Sequence, residues 1–349
     1  MLCDKLILGS GYMIYPEFIR ERDTIGVSAP SAGLTEPLRI NTLNNAVKKF
    51  EEKGYKILLT PNVRKNEDGV SSSATIRSLE LASLYQNKDV KAIICATGGE
   101  FLVEMLSCFD FSVVQKNIKW LQGYSDPTGL LFTITTNLDI ATIYGSNFAG
   151  FGMDTWHESL ENNLYVLEGK LMMQKSFARY ESMRVDMITG REGYYLDTPV
   201  YWKILNQEKE VSFKGRIIGG CIDIITELFG TRFDKTKEFI EKYKGDGIIW
   251  YFDNCELSME DMVRTLWKFK DNGWFQYTTG IIFGRSATSY SNMGITLEDA
   301  LNRVLGDLDL PIILDTDIGH VPPRMTIING AYTMVYCKDG KGTLEFQLK

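Results

Sequence analysis

The sequence predicts an α/β protein whose first half builds a parallel sheet and whose second half is mixed α/β with a β-rich end. Three observations carry that expectation. Short apolar runs alternate with helix-patterned segments between Asp23 and Tyr144, several of these runs end in loops rich in glycine or serine, and the last stretch changes to period-two alternation. A chain of 349 residues holds about two domains with ample material for a core. We expect the first over 1–170 and the second over 171–349, with the junction inside the poorly patterned stretch 150–215.

Asp23 to Ser28 reads as a strand entering the loop Ala29-Pro30-Ser31-Ala32-Gly33. Leu43, Ala46, Val47 and Phe50 recur at helical spacing before Gly54 closes the helix. Tyr55 to Thr60 is the next strand, Ser78 to Tyr85 a helix, and Val90 to Ala96 a strand ending at Thr97-Gly98-Gly99-Glu100. Phe101 to Leu106 is helical, Ile118 to Gln122 a buried strand, Gly129 to Ile134 an apolar helix, and Ala141 to Tyr144 a strand. Strands separated by helices of this length imply a parallel, flavodoxin-like sheet with helices on both faces, and ligands of such sheets sit at the carboxyl ends of the strands. Further on, Phe151 to His157 reads as loop and Glu158 to Leu171 as helix. The second half reads as helix Asp223 to Phe229, strand Ile248 to Phe252, helix Glu260 to Lys270, strand Gly280 to Phe283, helix Leu297 to Val304 and strand Pro311 to Leu314. Met325 to Ile328, Tyr332 to Tyr336 and Thr343 to Leu348 close the chain as antiparallel strands.

Composition narrows the function. The net charge of −7, with no lysine- or arginine-rich run, argues against a nucleic-acid partner. No apolar stretch is long enough to span a bilayer, and the start, Met1 to Ser10, lacks the cationic and apolar regions of a signal peptide. Six cysteines without C-x-x-C spacing suit reduced thiols in a cytoplasmic protein. With only His157 and His320, a histidine-rich metal site is not expected, and no metal or organic cofactor is.

The stretch Gly123-Tyr124-Ser125-Asp126-Pro127-Thr128 puts a serine at a strand-to-helix junction. Gly123 relieves crowding in a sharp turn, Asp126 suits the helix cap and Pro127 the first helical position. A hydroxyl there is lifted out of the sheet and faces a helix N-terminus, which favours a nucleophile. Such an alcohol needs a base, and the base needs an acid to fix its tautomer. His320, in the loop after the strand Pro311 to Leu314, is the candidate base. Asp253, closing an apolar strand, or Glu256, three residues on, is the candidate acid; the strand end is the more rigid mount. The backbone N–H groups of Gly99 and Asp126 are the candidate oxyanion donors. Two rival readings stand beside this one: a binding module that kept the scaffold without catalysis, and a nucleotide or sugar-phosphate binder using Gly98-Gly99 and the helix after Asp126.

Taken in order, Asp23 to Ser31, Thr97-Gly98-Gly99, Gly123 to Thr128, Gly219-Gly220, Phe229-Gly230-Thr231, the strand ending in Asp253, Gly280 to Arg285 and Gly319-His320 resemble the LD-carboxypeptidases and the related microcin C immunity peptidases. The similarity runs from about Met13 over nearly the whole chain. It implies a Ser-His-acid peptidase with Ser125, Asp253 and His320 in these roles, acting on a small peptide-like substrate. It also implies a two-domain homodimer with the site between the domains. Members of the first type are cytoplasmic and release the terminal D-alanine of muropeptide tetrapeptides; those of the second cleave a peptidyl- or aminoacyl-nucleotide amide. The family acid is commonly glutamate, where Phe252-Asp253-Asn254 stands here, and Pro127 and Glu100 also depart from the commonest members. The length of 150–215, with Trp156 and Trp202, looks more like the second type; those tryptophans would stack on a purine or pack in the core.

Overall fold

Two twisted sheets pack on either side of a single buried helix. A computed structural model describes residues 12–183, 185–205 and 209–349; the expectation for Met1 to Ser10, and Cys3 with it, falls outside them. The first sheet is built from β1 (Thr24–Ser28), β2 (Lys56–Leu59), β3 (Val90–Cys95), β4 (Trp120–Gly123) and β5 (Thr142–Tyr144). All five are parallel, in the spatial order 2-1-3-4-5. That is the doubly wound, flavodoxin-like order, and its strand order reverses between β1 and β3. The loops after those two strands, carrying Ser31 and Gly98-Gly99, therefore flank the crevice where such sheets bind ligands.

The helix Pro37–Glu52 starts on a proline, buries Leu43, Ala46 and Phe50, and gives way to Gly54 at φ +88°. The helix Thr128–Leu138 behaves differently. Every residue from Thr128 to Thr136 is buried, because the first sheet covers one side and the second sheet the other. Phe132 lies at 6.4 Å from the Trp250 ring and 6.2 Å from that of Trp274, in a stack continued by Phe252 and Phe269. Aromatic rings of this size bury about 150–250 Å² each and dominate the adhesion of the two sheets.

The second sheet has eight strands, ordered Met173–Lys175, Lys341–Gln347, Tyr332–Lys338, Glu210–Cys221, Ile248–Asp253, Thr278–Gly284, Ile312–Thr316 and Lys203–Ile204. Its pivot, Glu210–Cys221, pairs antiparallel with Tyr332–Lys338 in its first half and parallel with Ile248–Asp253 in its second. The sequence pattern missed this strand because glycines interrupt it. They are there for packing: a Cβ at Gly219 would sit 1.8 Å from the Tyr251 carbonyl oxygen, and one at Gly220 2.5 Å from the Thr128 methyl. The Cys221 N–H also donates to Thr128 Oγ1 at 3.1 Å, tying the second sheet to the buried helix.

Several boundaries shift by a few residues, the helix expected from Ser78 to Tyr85 running Ala74–Gln86 for one, and two departures have a clear physical reason or consequence. The helix after His157 stops at Leu167, with Gly169 at φ +70° two residues on. The segment Ile327–Asn329, expected among the antiparallel strands that close the chain, leaves the second sheet and pairs antiparallel with β5 at the edge of the first. Among the described residues no helix is long and apolar enough to cross a membrane.

Candidate active site

Ser125 sits between β4 and the helix Thr128–Leu138 with its backbone in the left-handed region, φ 68°. For a non-glycine residue that conformation costs about 1–3 kcal/mol and persists only where the surroundings enforce it. A Cβ at Gly123 would meet Pro127 Cβ at 2.7 Å, an overlap that glycine avoids, while one at Gly98 would lie 3.2 Å from Ser125 Cβ, a tight contact that leaves the two loops close over the serine. Asn147 braces the turn from the side, its Oδ1 accepting the Tyr124 N–H at 3.1 Å and its Nδ2 donating to the Tyr124 carbonyl at 3.2 Å.

The helix cap is not built as the sequence suggests. Pro127 occupies the cap position with helical dihedrals, and the Asp126 carboxylate turns inward. There it accepts from the Ser31 hydroxyl and, at 3.0 Å, from the Leu102 N–H. Burial pushes this carboxyl above its usual range. Asp126 thus staples the loops after β1, β3 and β4 into one floor. The backbone N–H groups of Asp126 and Gly99 have no acceptor among the described residues.

Asp253 ends its strand in register with Cys221, fully buried. His320 Nδ1 lies 2.7 Å from Asp253 Oδ2, and the His320 backbone N–H donates to Oδ1 at 3.1 Å. On the other side of the ring, Nε2 lies 2.9 Å from Ser125 Oγ. The preceding Gly319 is at φ +97°, and a Cβ there would fall 1.8 Å from Asp253 Oδ1; the Gly-His pair is a packing requirement of the carboxylate. Burial draws the His320 pKa down, but the Asp253 charge and hydrogen bond outweigh it, so the imidazole titrates above its usual 6.5.

Glu256 is exposed and makes no bond to His320. Its N–H, with those of Cys255 and Leu257, is held by the Asp223 carboxylate at 2.8–3.0 Å. Glu100 lies at the same lip, its carboxyl raised by burial and then by the charges of Glu256, Asp126 and Asp223. His157 takes no part in the Ser125–His320–Asp253 chain: it caps the helix Glu158–Leu167, Nδ1 accepting from the Ser159 N–H at 3.1 Å, and packs on Phe177 and Tyr194. Trp202 is 1% exposed with Nε1 on Asp317, and Trp156 packs among Phe50 and Phe151, so both tryptophans take the packing role.

Three contributors went unseen in the sequence. Tyr144, the last residue of β5, donates to Asp253 Oδ2 at 2.5 Å across the two sheets. Asn147 braces the serine turn as described. Arg324, four residues past His320, donates through Nε to the Gly319 carbonyl at 2.7 Å and lays its guanidinium 4.2 Å from the Tyr124 ring centre. Tyr124 in turn stands edge-on to His320 at 5.2 Å. The placement of Arg324 just after Gly319-His320 was the available signal; Tyr144 and Asn147 carried none. As a metal-binding set, Cys221 Sγ, an Asp253 oxygen and a His320 nitrogen lie within 4.8 Å of one another, and a cation there would displace the Asp253–His320 hydrogen bond.

Residues 25–145 match the LD-carboxypeptidase N-terminal domain and residues 214–335 the LD-carboxypeptidase C-terminal domain. The chain belongs to the LD-carboxypeptidase family. A probable murein peptide carboxypeptidase of Bacillus subtilis (strain 168) is 23% identical over 322 residues, spanning 90% of this chain and 89% of that protein. The microcin C7 self-immunity protein MccF of Escherichia coli is 25% identical over 321 residues, spanning 87% and 88%. Among solved structures, an MccF-like protein from Bacillus anthracis str. Ames superposes with a TM-score of 0.80 at 21% identity, covering 96% of this chain and all of that one. MccF in complex with aspartyl sulfamoyl adenosine gives 0.79 at 20% identity, covering 96% and 98%. These likenesses agree with the mixed α/β fold of two sheets, and the family is one of peptidases.

Proposed function

We propose that this chain is a serine carboxypeptidase that hydrolyses an L,D-amide bond of a muropeptide-like tetrapeptide and releases the terminal D-alanine. The observation that carries the reading is the unbroken hydrogen-bond chain from Ser125 Oγ through the His320 ring to Asp253. Ser125 attacks the scissile carbonyl while His320 Nε2 takes its proton and then delivers it to the leaving amine. Asp253, receiving Nδ1–H, fixes the tautomer and stabilises the imidazolium. The free N–H groups of Gly99 and Asp126 receive the oxyanion. Water then repeats the sequence on the acyl-enzyme. The shorter aspartate serves where the family commonly has glutamate, and the Glu256 carboxylate, exposed on a loop whose N–H groups Asp223 holds, makes no bond to His320. We further propose that the enzyme works as a cytoplasmic homodimer.

A second reading, cleavage of a peptidyl- or aminoacyl-nucleotide amide, draws support from the MccF complex among the similar structures. The muropeptide reading is preferred because Trp202 is buried and Trp156, partly exposed, is already packed against Phe50 and Phe151 with Lys53 over its ring. A turnover panel tests both: a muropeptide tetrapeptide, L-Lys-D-Ala and diaminopimelyl-D-Ala dipeptides, and an aminoacyl sulfamoyl adenosine. Release of D-alanine, abolished by Ser125→Ala in a folded protein, is the expected result. Full activity of Ser125→Ala would overturn the mechanism, and turnover of the adenosine compound alone would reverse the choice of substrate.

A further inference from the structure

Arg324 is a buried cation without a carboxylate in direct contact; the nearby Asp253 charge acts on it from a distance and is itself bound by His320 and Tyr144. It is 8% exposed, and among the described residues its one hydrogen bond runs from Nε to the Gly319 carbonyl, a neutral acceptor. No described carboxylate lies within ion-pair distance, although buried charges are ordinarily paired. Neither Nη nitrogen has a partner, and neither is among the sealed polar atoms that lack one, so the fork retains an opening to solvent. Its place is fixed from both sides. The guanidinium rests on the Tyr124 ring, one residue before Ser125, and its Nε is tied to the residue before His320. The site's acidic groups, Glu100, Asp223 and Glu256, gather on the lip near Cys255 instead.

We propose that the Arg324 fork is the binding site for the substrate's terminal carboxylate, the group that makes an amide the last one in a peptide. The two unpartnered Nη groups offer parallel N–H donors to both carboxylate oxygens, a geometry that lysine cannot reproduce. Stacking on Tyr124 pre-organises the fork and couples it to the nucleophile through one peptide unit. The arrangement gives a physical basis for exopeptidase action: an internal amide has no charge to offer a buried guanidinium, and an anion on the acidic lip would be repelled. The Arg324 charge also holds the Tyr124 phenol below its usual pKa, which is how the same field would act on an incoming carboxylate.

The proposal rests on the carboxypeptidase reading for its substrate but is tested without turnover. In a Ser125→Ala background, binding of N-acetyl-L-lysyl-D-alanine and of its C-terminal carboxamide is measured by calorimetry. The acid should bind about 100-fold more tightly than the amide, the worth of a charge-assisted pair in a desolvated site. Adding Arg324→Met, which keeps the bulk over Tyr124, should close that gap to a few-fold, and Arg324→Lys should restore only part of it. Equal binding of acid and amide, no binding of the acid, or a gap that survives Arg324→Met would each overturn the assignment. Should Arg324→Met not fold, the acid–amide comparison on the parent Arg324 decides alone. Fluorophosphonate labelling of Ser125 in the unmutated chain reports on the hydrolase mechanism separately, so failure of one is not mistaken for failure of the other.

Discussion

Around Ser125 most restraints come from a few neighbouring residues: Gly123 and Pro127 shape the turn, and one glycine loop and Asn147 close over it. Around Asp253 and His320 the restraints are side chains from the first sheet together with residues of the loop that carries the imidazole. Tyr144 reaches across from the first sheet, Gly319 opens space for the carboxylate, and Arg324 pins the Gly319 carbonyl. The nucleophile is held by backbone shape, the acid–base pair by converging side chains. The first kind of site gives wherever a neighbour can shift by a few tenths of an ångström, as at Gly98, while the second depends on each converging contact.

The largest test of this contrast removes the charge at the end of the converging side. Asp253→Asn keeps the shape but presents an amide to Nδ1, favouring the wrong imidazole tautomer, and kcat should fall by about 10⁴-fold. Circular dichroism should remain that of the parent. A loss below ten-fold would mean that another group orients His320.

A glycine comparison follows. In Gly319→Ala the new methyl would overlap Asp253 Oδ1, so the carboxylate must swing away; we expect a stability loss of about 1–3 kcal/mol and a kcat lowered by at least about 100-fold. Gly98→Ala, whose methyl would only touch Ser125 at 3.2–3.3 Å, should cost distinctly less in both melting temperature and kcat. The reverse order would show that the serine side is the less forgiving of the two.

The smallest effect concerns pH. His320 accepts a proton only when neutral, so kcat/KM falls as pH drops through its pKa, and the acid limb should lie above 6.5 because Asp253 outweighs burial. Tyr144→Phe removes a donor from Asp253 Oδ2 and leaves more negative charge facing Nδ1–H. The limb should then move upward by less than about one unit, with a loss of about five-fold at the optimum. A limb that stays in place or moves downward would dismiss Tyr144 as a tuning group.

How much of this was legible follows the same division. The alternation from Asp23 to Tyr144 gave the parallel sheet, since its apolar runs are strands, those in the middle of the sheet buried on both faces and β2 at the edge partly exposed. Ser125 was visible because a nucleophile on a tight turn needs small and cap-forming residues beside it in the sequence. The strand Glu210–Cys221 was not, because its glycines answer to Tyr251 and Thr128, which no local pattern reveals. Asp126 looked like a cap and became a floor staple, since Ser31 and Leu102 arrive from other loops. Tyr144 read as an ordinary strand residue, its hydroxyl finding Asp253 only through the docking of the two sheets.

The short strand Ile327–Asn329 has a consequence for how this molecule comes into being. It seals the β5 edge of a sheet whose other members were all synthesised far earlier. During translation the nucleophile-bearing half must therefore wait with an open flank until residue 329 leaves the ribosome, and the crossing of the chain then adds a late strand to ties already available between Cys221 and Thr128. A peptidase made in that order completes its working centre only late in synthesis, because His320 and the strands that finish the second sheet also come from the end of the chain.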